Sequence, residues 1–122
     1  MSTTTATILI VDDEDDIRSL MRDFLEADGY TVLSVPDGPG ALSALKANPV
    51  DLVLLDYNMP GFNGIETLTE IKRVAPQVNV VIMTSTENTG LAYQAVASGA
   101  AAFLRKPFYP TDIDEILDRI YA

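Results

Sequence analysis

The sequence predicts an α/β protein built on a doubly wound parallel sheet, and three observations support this prediction. Aliphatic runs that suit strands alternate five times with apolar patterns that suit helices. Two of these runs, at residues 8–11 and 80–83, are almost continuously aliphatic, which is typical of strands buried on both faces. The connections are short, and right-handed crossovers between such elements place the strands parallel in one sheet.

Five segments rich in aliphatic and β-branched residues are predicted as strands, because polar or turn residues bound each of them. The segment at residues 30–35 alternates more than the others, so we expect it at an edge of the sheet. The other four segments cover residues 7–11, 51–55, 79–83 and 101–104.

A helical pattern follows each predicted strand. The first helix has an apolar stripe made of Ile17, Leu20, Met21, Phe24 and Leu25. The later helices are marked by Ala41, Leu42 and Leu45; by Ile65, Leu68 and Ile71; by residues 91–97; and by Ile113, Ile116, Leu117 and Ile120.

Glycine and proline residues indicate where these helices end. We expect Gly29 to end the first, Pro49 to follow the second, Pro76 to follow the third and Gly99 to end the fourth. Thr111 is the expected N-cap of the fifth helix.

The composition of the chain excludes several classes of function. The chain has 122 residues, enough for one domain, which we expect to cover residues 6–122. Its 18 acidic and 8 basic residues give a net charge of −10, which argues against a nucleic-acid partner and suits a soluble cytoplasmic protein or one that binds cations. The absence of cysteine and histidine excludes disulfides, thiol catalysis and histidine phosphotransfer from this chain. Residues 1–5 lack signal-peptide features and are expected to be disordered, and no apolar run is long enough to cross a membrane.

Polar side chains stand where the predicted strands end. The first strand ends in Asp12-Asp13, the third in Asp56 and the fourth in Thr84, and the fifth leads to Lys106. Ligands of open α/β sheets bind outside the carboxyl ends of the strands, where strand order reverses. We therefore expect these side chains to converge on one site.

This set of residues suits phosphoryl transfer. Carboxylates at about 4 Å repel each other by roughly 4 kcal/mol per pair at an effective dielectric constant near 20. A hard divalent cation such as Mg²⁺ prefers oxygen ligands and would relieve that repulsion. Lys106 and Thr84 could bind phosphoryl oxygens, which leaves Asp56 as a nucleophile that attacks phosphorus.

The segments that contain these residues closely resemble those of two-component response-regulator receiver domains. They are Ile8-Leu9-Ile10-Val11-Asp12-Asp13, Asp56-Tyr57-Asn58-Met59-Pro60-Gly61, Met83-Thr84-Ser85 and Lys106-Pro107-Phe108, and the likeness covers about residues 6–121. The stretch from Asp56 to Gly64 is most similar to free-standing chemotaxis receivers. The resemblance implies a (βα)5 flavodoxin-like fold with a five-stranded parallel sheet of order 2-1-3-4-5.

The resemblance also implies a phosphoacceptor and a metal site. Asp56 would receive a phosphoryl group from a sensor histidine kinase or a histidine phosphotransfer protein. Asp13 and Asp56 would bind Mg²⁺ directly, Asp12 through water, and Asn58 through its backbone carbonyl. Mn²⁺ would be a substitute ion. The protein would be no enzyme beyond catalysing its own phosphorylation and dephosphorylation.

The resemblance also assigns roles in phosphate binding and switching at the ends of the fourth and fifth strands. Lys106 would pair with the phosphoryl group, and the Lys106-Pro107 bond would be cis. Thr84 would move toward the phosphoryl group, and Phe103 would rotate inward to fill the space that Thr84 leaves. A downstream protein would read the change on the fourth helix, fifth strand and fifth helix.

The fourth helix carries no charge from Thr89 to Ala97. An uncharged helix surface that is partly exposed indicates a contact surface. We expect Leu91 or Tyr93 to contribute to partner docking or to a homodimer.

Three alternatives stay open. The chain could be the receiver half of a larger regulator with a DNA-binding or enzymatic output domain. It could be a Mg²⁺-dependent aspartyl phosphatase, but such enzymes place an acid two residues after the nucleophile, where this chain has Asn58. A flavodoxin-like electron carrier would need a hydroxyl-rich loop after the first strand, where this chain has five acidic residues from Asp12 to Asp16.

Overall fold

The computed structural model describes residues 6–59, 64–85, 89–106 and 108–121, and residues 1–5, for which disorder is expected, lie outside these ranges. Within the described ranges five strands alternate with five helices. The strands are β1 (Thr7–Val11), β2 (Thr31–Val35), β3 (Leu52–Asp56), β4 (Asn79–Thr84) and β5 (Ala102–Arg105). The helices are α1 (Asp15–Ala27), α2 (Gly38–Ala47), α3 (Gly64–Val74), α4 (Thr89–Ala97) and α5 (Pro110–Tyr121). Each of these helices is too short or too polar to serve as a transmembrane segment.

The strands form one parallel sheet in the order β2-β1-β3-β4-β5. This confirms the predicted fold class, the strand order and the edge position of β2. The chain leaves β1 toward β2 on one side and returns to β3 on the other. The order therefore reverses between β1 and β3, and a crevice opens at their carboxyl ends.

Helices cover both faces of the sheet, which explains the continuous aliphatic runs. Ile8 and Ile10 of β1 contribute to a core with α1 and α5, whereas Leu9 and Val11 contribute to a core with α2, α3 and α4. Successive residues of a strand point to opposite faces, so both sets must be apolar. All four of these side chains are fully buried.

The predicted helix ends are confirmed at four positions. Gly29 and Gly99 have φ angles of 97° and 109°, in the left-handed region that glycine adopts without steric cost. The chain at Gly99 closes with a hydrogen bond from Ala100 N to Ala95 O at 2.9 Å. Helices α2 and α3 end at Ala47 and Val74, shortly before the prolines at positions 49 and 76.

Two details of the sequence prediction are wrong. Leu20 was placed in the apolar stripe of α1, yet its side chain is 61% exposed. It neighbours the buried Met21 in the sequence and so points about 100° away from it around the helix axis. Thr111 does not cap α5, because the helix already begins at Pro110 and the Asp112 carboxylate accepts a hydrogen bond from Tyr109 N at 2.7 Å. Proline suits the first helical position, where its missing N–H costs no hydrogen bond.

Candidate functional site

The carboxyl end of β1 holds Asp12 in a fixed position. Its side chain is fully buried, and its Oδ1 accepts a hydrogen bond from Glu14 N at 2.9 Å. Its backbone is bound on both sides: Asp12 N donates to Val35 O of β2 at 3.2 Å, and the Arg18 guanidinium donates to Asp12 O at 2.5 Å. Strand β1 and helix α1 thus fix the Asp12 carboxylate at the crevice between β1 and β3.

Asp56 is the last residue of β3 and is 1% exposed. Its Oδ1 accepts a hydrogen bond from Asn58 N at 3.0 Å. The next residue is bound to the neighbouring strand, because Tyr57 N donates to Met83 O of β4 at 2.8 Å. These two contacts fix the segment that directly follows Asp56.

Lys106 follows β5 and reaches across the end of the sheet. Its Nζ lies 3.2 Å from Asp12 Oδ2 and 3.3 Å from Asp56 Oδ1. Its backbone N donates to Thr84 O at 2.7 Å, which joins the end of β5 to the end of β4. One ammonium group therefore contacts carboxylates from two other strands.

Three carboxylates form a group that could hold a metal ion. Asp12, Asp13 and Asp56 each offer one oxygen, and these oxygens lie within 4.8 Å of one another. Asp12 and Asp56 are buried, whereas Asp13 is exposed. An all-oxygen donor set that leaves room for water at Asp13 suits a hard divalent cation such as Mg²⁺.

Burial and neighbouring charges act on the acid–base properties of Asp56. Burial raises the pKa of the Asp56 carboxyl above its ordinary value of 3.8, and the nearby Asp12 adds to the rise. The Asn58 N–H and the Lys106 ammonium oppose this rise in pKa without cancelling it. Ionised Asp56 is therefore under electrostatic strain, which a bound cation would reduce.

The same neighbours act on Lys106. Burial of the ammonium favours a lower pKa, but Asp56 and Asp12 together outweigh burial and raise the pKa of Lys106 above 10.5. Lys106 is therefore charged at neutral pH.

Thr84, at the end of β4, is fully buried. Its Oγ1 donates a hydrogen bond to Asn58 Oδ1 at 2.9 Å. Ser85 N donates to the same oxygen at 2.9 Å, and Ser85 Oγ lies 3.3 Å from it. The sequence predicts a metal-binding role for the backbone carbonyl of Asn58, but no pattern in it indicates this side-chain contact.

The structure does not test the predictions made for Phe103 and Pro107. Phe103 lies in β5 opposite Ile82 of β4 and is partly buried against the core of α2, α3 and α4. Its rotation stays a prediction. Pro107 lies outside the described residues, and so does the predicted cis bond that precedes it.

Arg18 is a further residue of the site that was not predicted from the sequence. The Arg18 side chain is only 16% exposed. It donates a hydrogen bond to the backbone of Asp12 and forms an ion pair with Asp15. A cation three residues after Asp15, and so on the same face of α1, is the signal that could have found it.

Comparison with known proteins identifies relatives over nearly the whole chain. The sequence model of the response regulator receiver domain matches residues 8–118. Sporulation initiation phosphotransferase F of Bacillus subtilis is 37% identical over 93% of this chain and 89% of its own length. The nitrogen assimilation regulatory protein NtrX of Azorhizobium caulinodans is 39% identical over 92% of this chain, which spans only 25% of that protein.

A solved structure shares the fold of this chain over nearly its whole length. The response regulator protein TrrA from Thermotoga maritima, in complex with Mg²⁺-BeF, superposes with a TM-score of 0.84 at 28% identity, over 95% of this chain and 99% of TrrA. Receiver domains accept phosphoryl groups from histidine kinases or phosphotransfer proteins, bind a divalent metal at an acidic pocket and interact with downstream partners. The chain belongs to the family of response regulator receiver domains, the phosphoacceptor switches of two-component systems.

Proposed function

We propose that Asp56 is the phosphoacceptor of this receiver, with Asp12, Asp13 and Lys106 as the residues that make its phosphorylation favourable. The observation that supports this assignment best is the position of Lys106 Nζ, which lies within 3.3 Å of both Asp56 and Asp12. A cation held at a nucleophilic carboxylate neutralises the charge that an incoming phosphoryl group brings.

The reaction forms one bond and breaks one. An Asp56 carboxylate oxygen attacks phosphorus, and the bond from phosphorus to the donor imidazole nitrogen breaks, with its electron pair going to that nitrogen. Lys106 then exchanges part of its contact with Asp56 for a phosphoryl oxygen, and the Thr84 hydroxyl donates to another. The domain thus catalyses its own phosphorylation.

The divalent ion of this site is Mg²⁺ in our proposal, with Mn²⁺ as a substitute. Asp13 and Asp56 would hold it directly, Asp12 would hold it through water, and the backbone carbonyl of Asn58 would be a further ligand. When bound, the ion neutralises carboxylate charge and orients the phosphoryl oxygens. The exposure of Asp13 beside two buried carboxylates leaves room for the waters that Mg²⁺ retains in protein sites.

The output surface in our proposal is formed by α4, β5 and α5. A phosphoryl group adds a charge of about −1.5 to −2. This charge would act on β5 through Lys106, the residue that follows the strand. Tyr93 of α4 is 73% exposed on a helix without charged residues, as a contact surface requires. Tyr93→Glu is expected to weaken docking of a downstream partner or of a second copy, and unchanged binding and oligomeric state, with and without phosphate, would refute this assignment.

A second candidate is the receiver half of a larger regulator. The match to NtrX supports it, since the chain spans a quarter of that protein, whereas it spans 89% of sporulation initiation phosphotransferase F. The length of the natural reading frame distinguishes the two candidates.

The phosphoacceptor is tested by incubating the protein with acetyl phosphate and Mg²⁺ and measuring the intact mass. The wild type is expected to gain one phosphoryl group and Asp56→Asn none. Asp51→Asn is the matched control, because Asp51 lies at the opposite end of β3, where its carboxylate accepts a hydrogen bond from Thr7 N. Labelling of Asp56→Asn, or no labelling of the wild type by acetyl phosphate or a kinase, would refute the proposal.

A further inference from the structure

The side chain of Asn58 joins two parts of the site that are far apart in sequence. Its backbone N donates to Asp56 Oδ1 at 3.0 Å, while its Oδ1 lies 2.9 Å from Thr84 Oγ1 and 2.9 Å from Ser85 N. We call the two contacts to Oδ1 the Asn58 latch. One residue therefore contacts both the proposed phosphoacceptor and the hydroxyl that ends the next strand.

The direction of the hydrogen bond from Thr84 follows from its neighbour. A backbone N–H can only donate, so the Asn58 atom that faces Ser85 N must be the amide oxygen. Thr84 Oγ1 faces the same oxygen and must therefore donate its proton to it. A hydroxyl has a single proton to donate, so Thr84 cannot bond to Asn58 and to a phosphoryl oxygen through that proton at the same time.

We propose that the Asn58 latch holds the Thr84 hydroxyl in the unphosphorylated state and competes with the phosphoryl group for its proton. This inference rests on the proposed function, in which Thr84 donates to the phosphoryl group on Asp56. Binding of a phosphoryl group then requires the latch to open. Asn58 is exposed whereas Thr84 is fully buried, so the Asn58 side chain is the partner that can leave without opening the core.

The latch lowers the apparent affinity of the site for a phosphoryl group. When only an open fraction of the protein can bind, the apparent Kd increases by the inverse of that fraction. The net contribution of one hydrogen bond changes an equilibrium constant by roughly fivefold. Removing the acceptor is therefore expected to tighten binding of a phosphoryl analogue by about three- to tenfold.

The test uses beryllofluoride, with Mg²⁺ present, as the phosphoryl analogue, and follows binding by NMR titration. Asn58→Ala removes the acceptor, and Asn58→Leu removes it while filling a similar space. Both variants are expected to bind beryllofluoride more tightly than the wild type by the stated factor. Each titration is made at a Mg²⁺ concentration that saturates the protein under study, so that a change in metal affinity does not enter the comparison.

Two further measurements show whether Thr84 transmits the effect. In the unloaded protein, scalar couplings of Thr84 should report a different distribution of χ1 rotamers in Asn58→Ala than in the wild type. In a Thr84→Val background, Asn58→Ala should no longer change beryllofluoride affinity, as a double-mutant cycle requires. Ser85→Ala is the control for local disturbance, because Ser85 Oγ makes the longest contact to Asn58 Oδ1, 3.3 Å.

The outcomes separate this inference from the proposed function. If the wild type binds no beryllofluoride, the proposed function itself fails. If the wild type binds it but both Asn58 variants bind equally or more weakly, the latch is overturned and the phosphoacceptor assignment stands. An equal effect of Asn58→Ala in the Thr84→Val background would also overturn the latch.

Discussion

The ammonium nitrogen of Lys106 lies 3.3 Å from the carboxylate of Asp56, across the width of the intervening strand β4. The two residues are 50 positions apart in the sequence and meet because parallel strands end at the same edge. Burial raises the pKa of Asp56, and the Lys106 ammonium offsets part of the cost of the ionised carboxylate.

Lys106→Met is expected to destabilise the metal-free protein at pH 7 by about 2 kcal/mol. Breaking a fully buried ion pair costs about 3–5 kcal/mol, and the cost is smaller here because the Lys106 side chain is partly exposed. Urea denaturation measures the effect, and Mg²⁺ should restore more stability to the variant than it adds to the wild type. Lys46→Met, in the last turn of α2, is the control and should cost less than about 1 kcal/mol. Equal costs for the two variants would contradict the proposed role of Lys106.

Asp56→Asn is expected to be more stable than the wild type at pH 7 in metal-free buffer. The folded-state pKa of Asp56 lies above its ordinary value of 3.8, so the folded protein binds this proton more tightly than the unfolded chain does. The stability from this group is fully present below pH 3.8 and is lost as the pH rises through the folded-state pKa.

The free energy of unfolding of both proteins should therefore be measured across that pH range, with a chelator present. The advantage of Asp56→Asn should shrink as the pH falls toward 3.8, because the wild-type carboxyl then becomes neutral as well. A variant that is less stable than the wild type at pH 7 would contradict the burial of an uncompensated charge.

Loss of the Asp13 carboxylate is expected to weaken Mg²⁺ binding, whereas loss of the Asp12 carboxylate is expected to lower the stability of the fold. Asp13 is exposed, so Asp13→Ala should change the free energy of unfolding by no more than about 0.5 kcal/mol. The same variant should bind Mg²⁺ roughly tenfold more weakly, since it loses a charged oxygen ligand. Calorimetric titration measures the affinity, with the exposed Glu115 of α5, as Glu115→Ala, for a control.

Asp12→Ala should instead lower stability, because Asp12 is buried and bonded to both Glu14 N and Lys106. The loss of a charged hydrogen-bond partner corresponds to about 1.5–3 kcal/mol. If Asp13→Ala proved as destabilising as Asp12→Ala, the division between a structural and a metal-binding carboxylate would be wrong.

Gly64→Ala is expected to slow phosphorylation as well as to destabilise the fold. A Cβ at Gly64 would lie 2.7 Å from Tyr57 Cδ1 and 2.9 Å from Tyr57 Cα, so the residue that follows Asp56 would have to shift. Overpacking of this kind costs about 1–3 kcal/mol. Gly29→Ala is the matched control, because it is strained by its φ angle of 97° but meets no atom within 4 Å. The rate of labelling by acetyl phosphate should fall only in Gly64→Ala.

The sheet and the set of strand-end residues could be predicted because each depends on short stretches of sequence. Strands buried on both faces are aliphatic throughout, as at Ile8–Val11, and the topology of a parallel sheet brings their carboxyl ends together. The convergence of Asp12, Asp56 and Lys106 follows from that topology alone. The family resemblance added the role of each residue.

The details that escaped prediction depend on side-chain direction or on distant contacts. The bond between Asn58 and Thr84 joins residues 26 positions apart and requires one rotamer of an exposed amide, which no sequence pattern specifies. Leu20 has the spacing of a core residue, but its direction places it at the border of the stripe. The start of α5 depends on a local choice between Thr111 and the pair of Pro110 and Asp112 as initiating residues.

Strand β5 has four residues and lies at one edge of the sheet, and the Lys106 amide is bound to Thr84 O at its end. Short edge strands open more often than central ones, so their amide protons exchange faster with solvent. Each opening of this strand end would withdraw the Lys106 ammonium from the two carboxylates. If Asp56 is the phosphoacceptor, we expect the added negative charge to hold that ammonium more firmly and to slow the opening. A chemical event on a central strand would then change how often an outer strand opens.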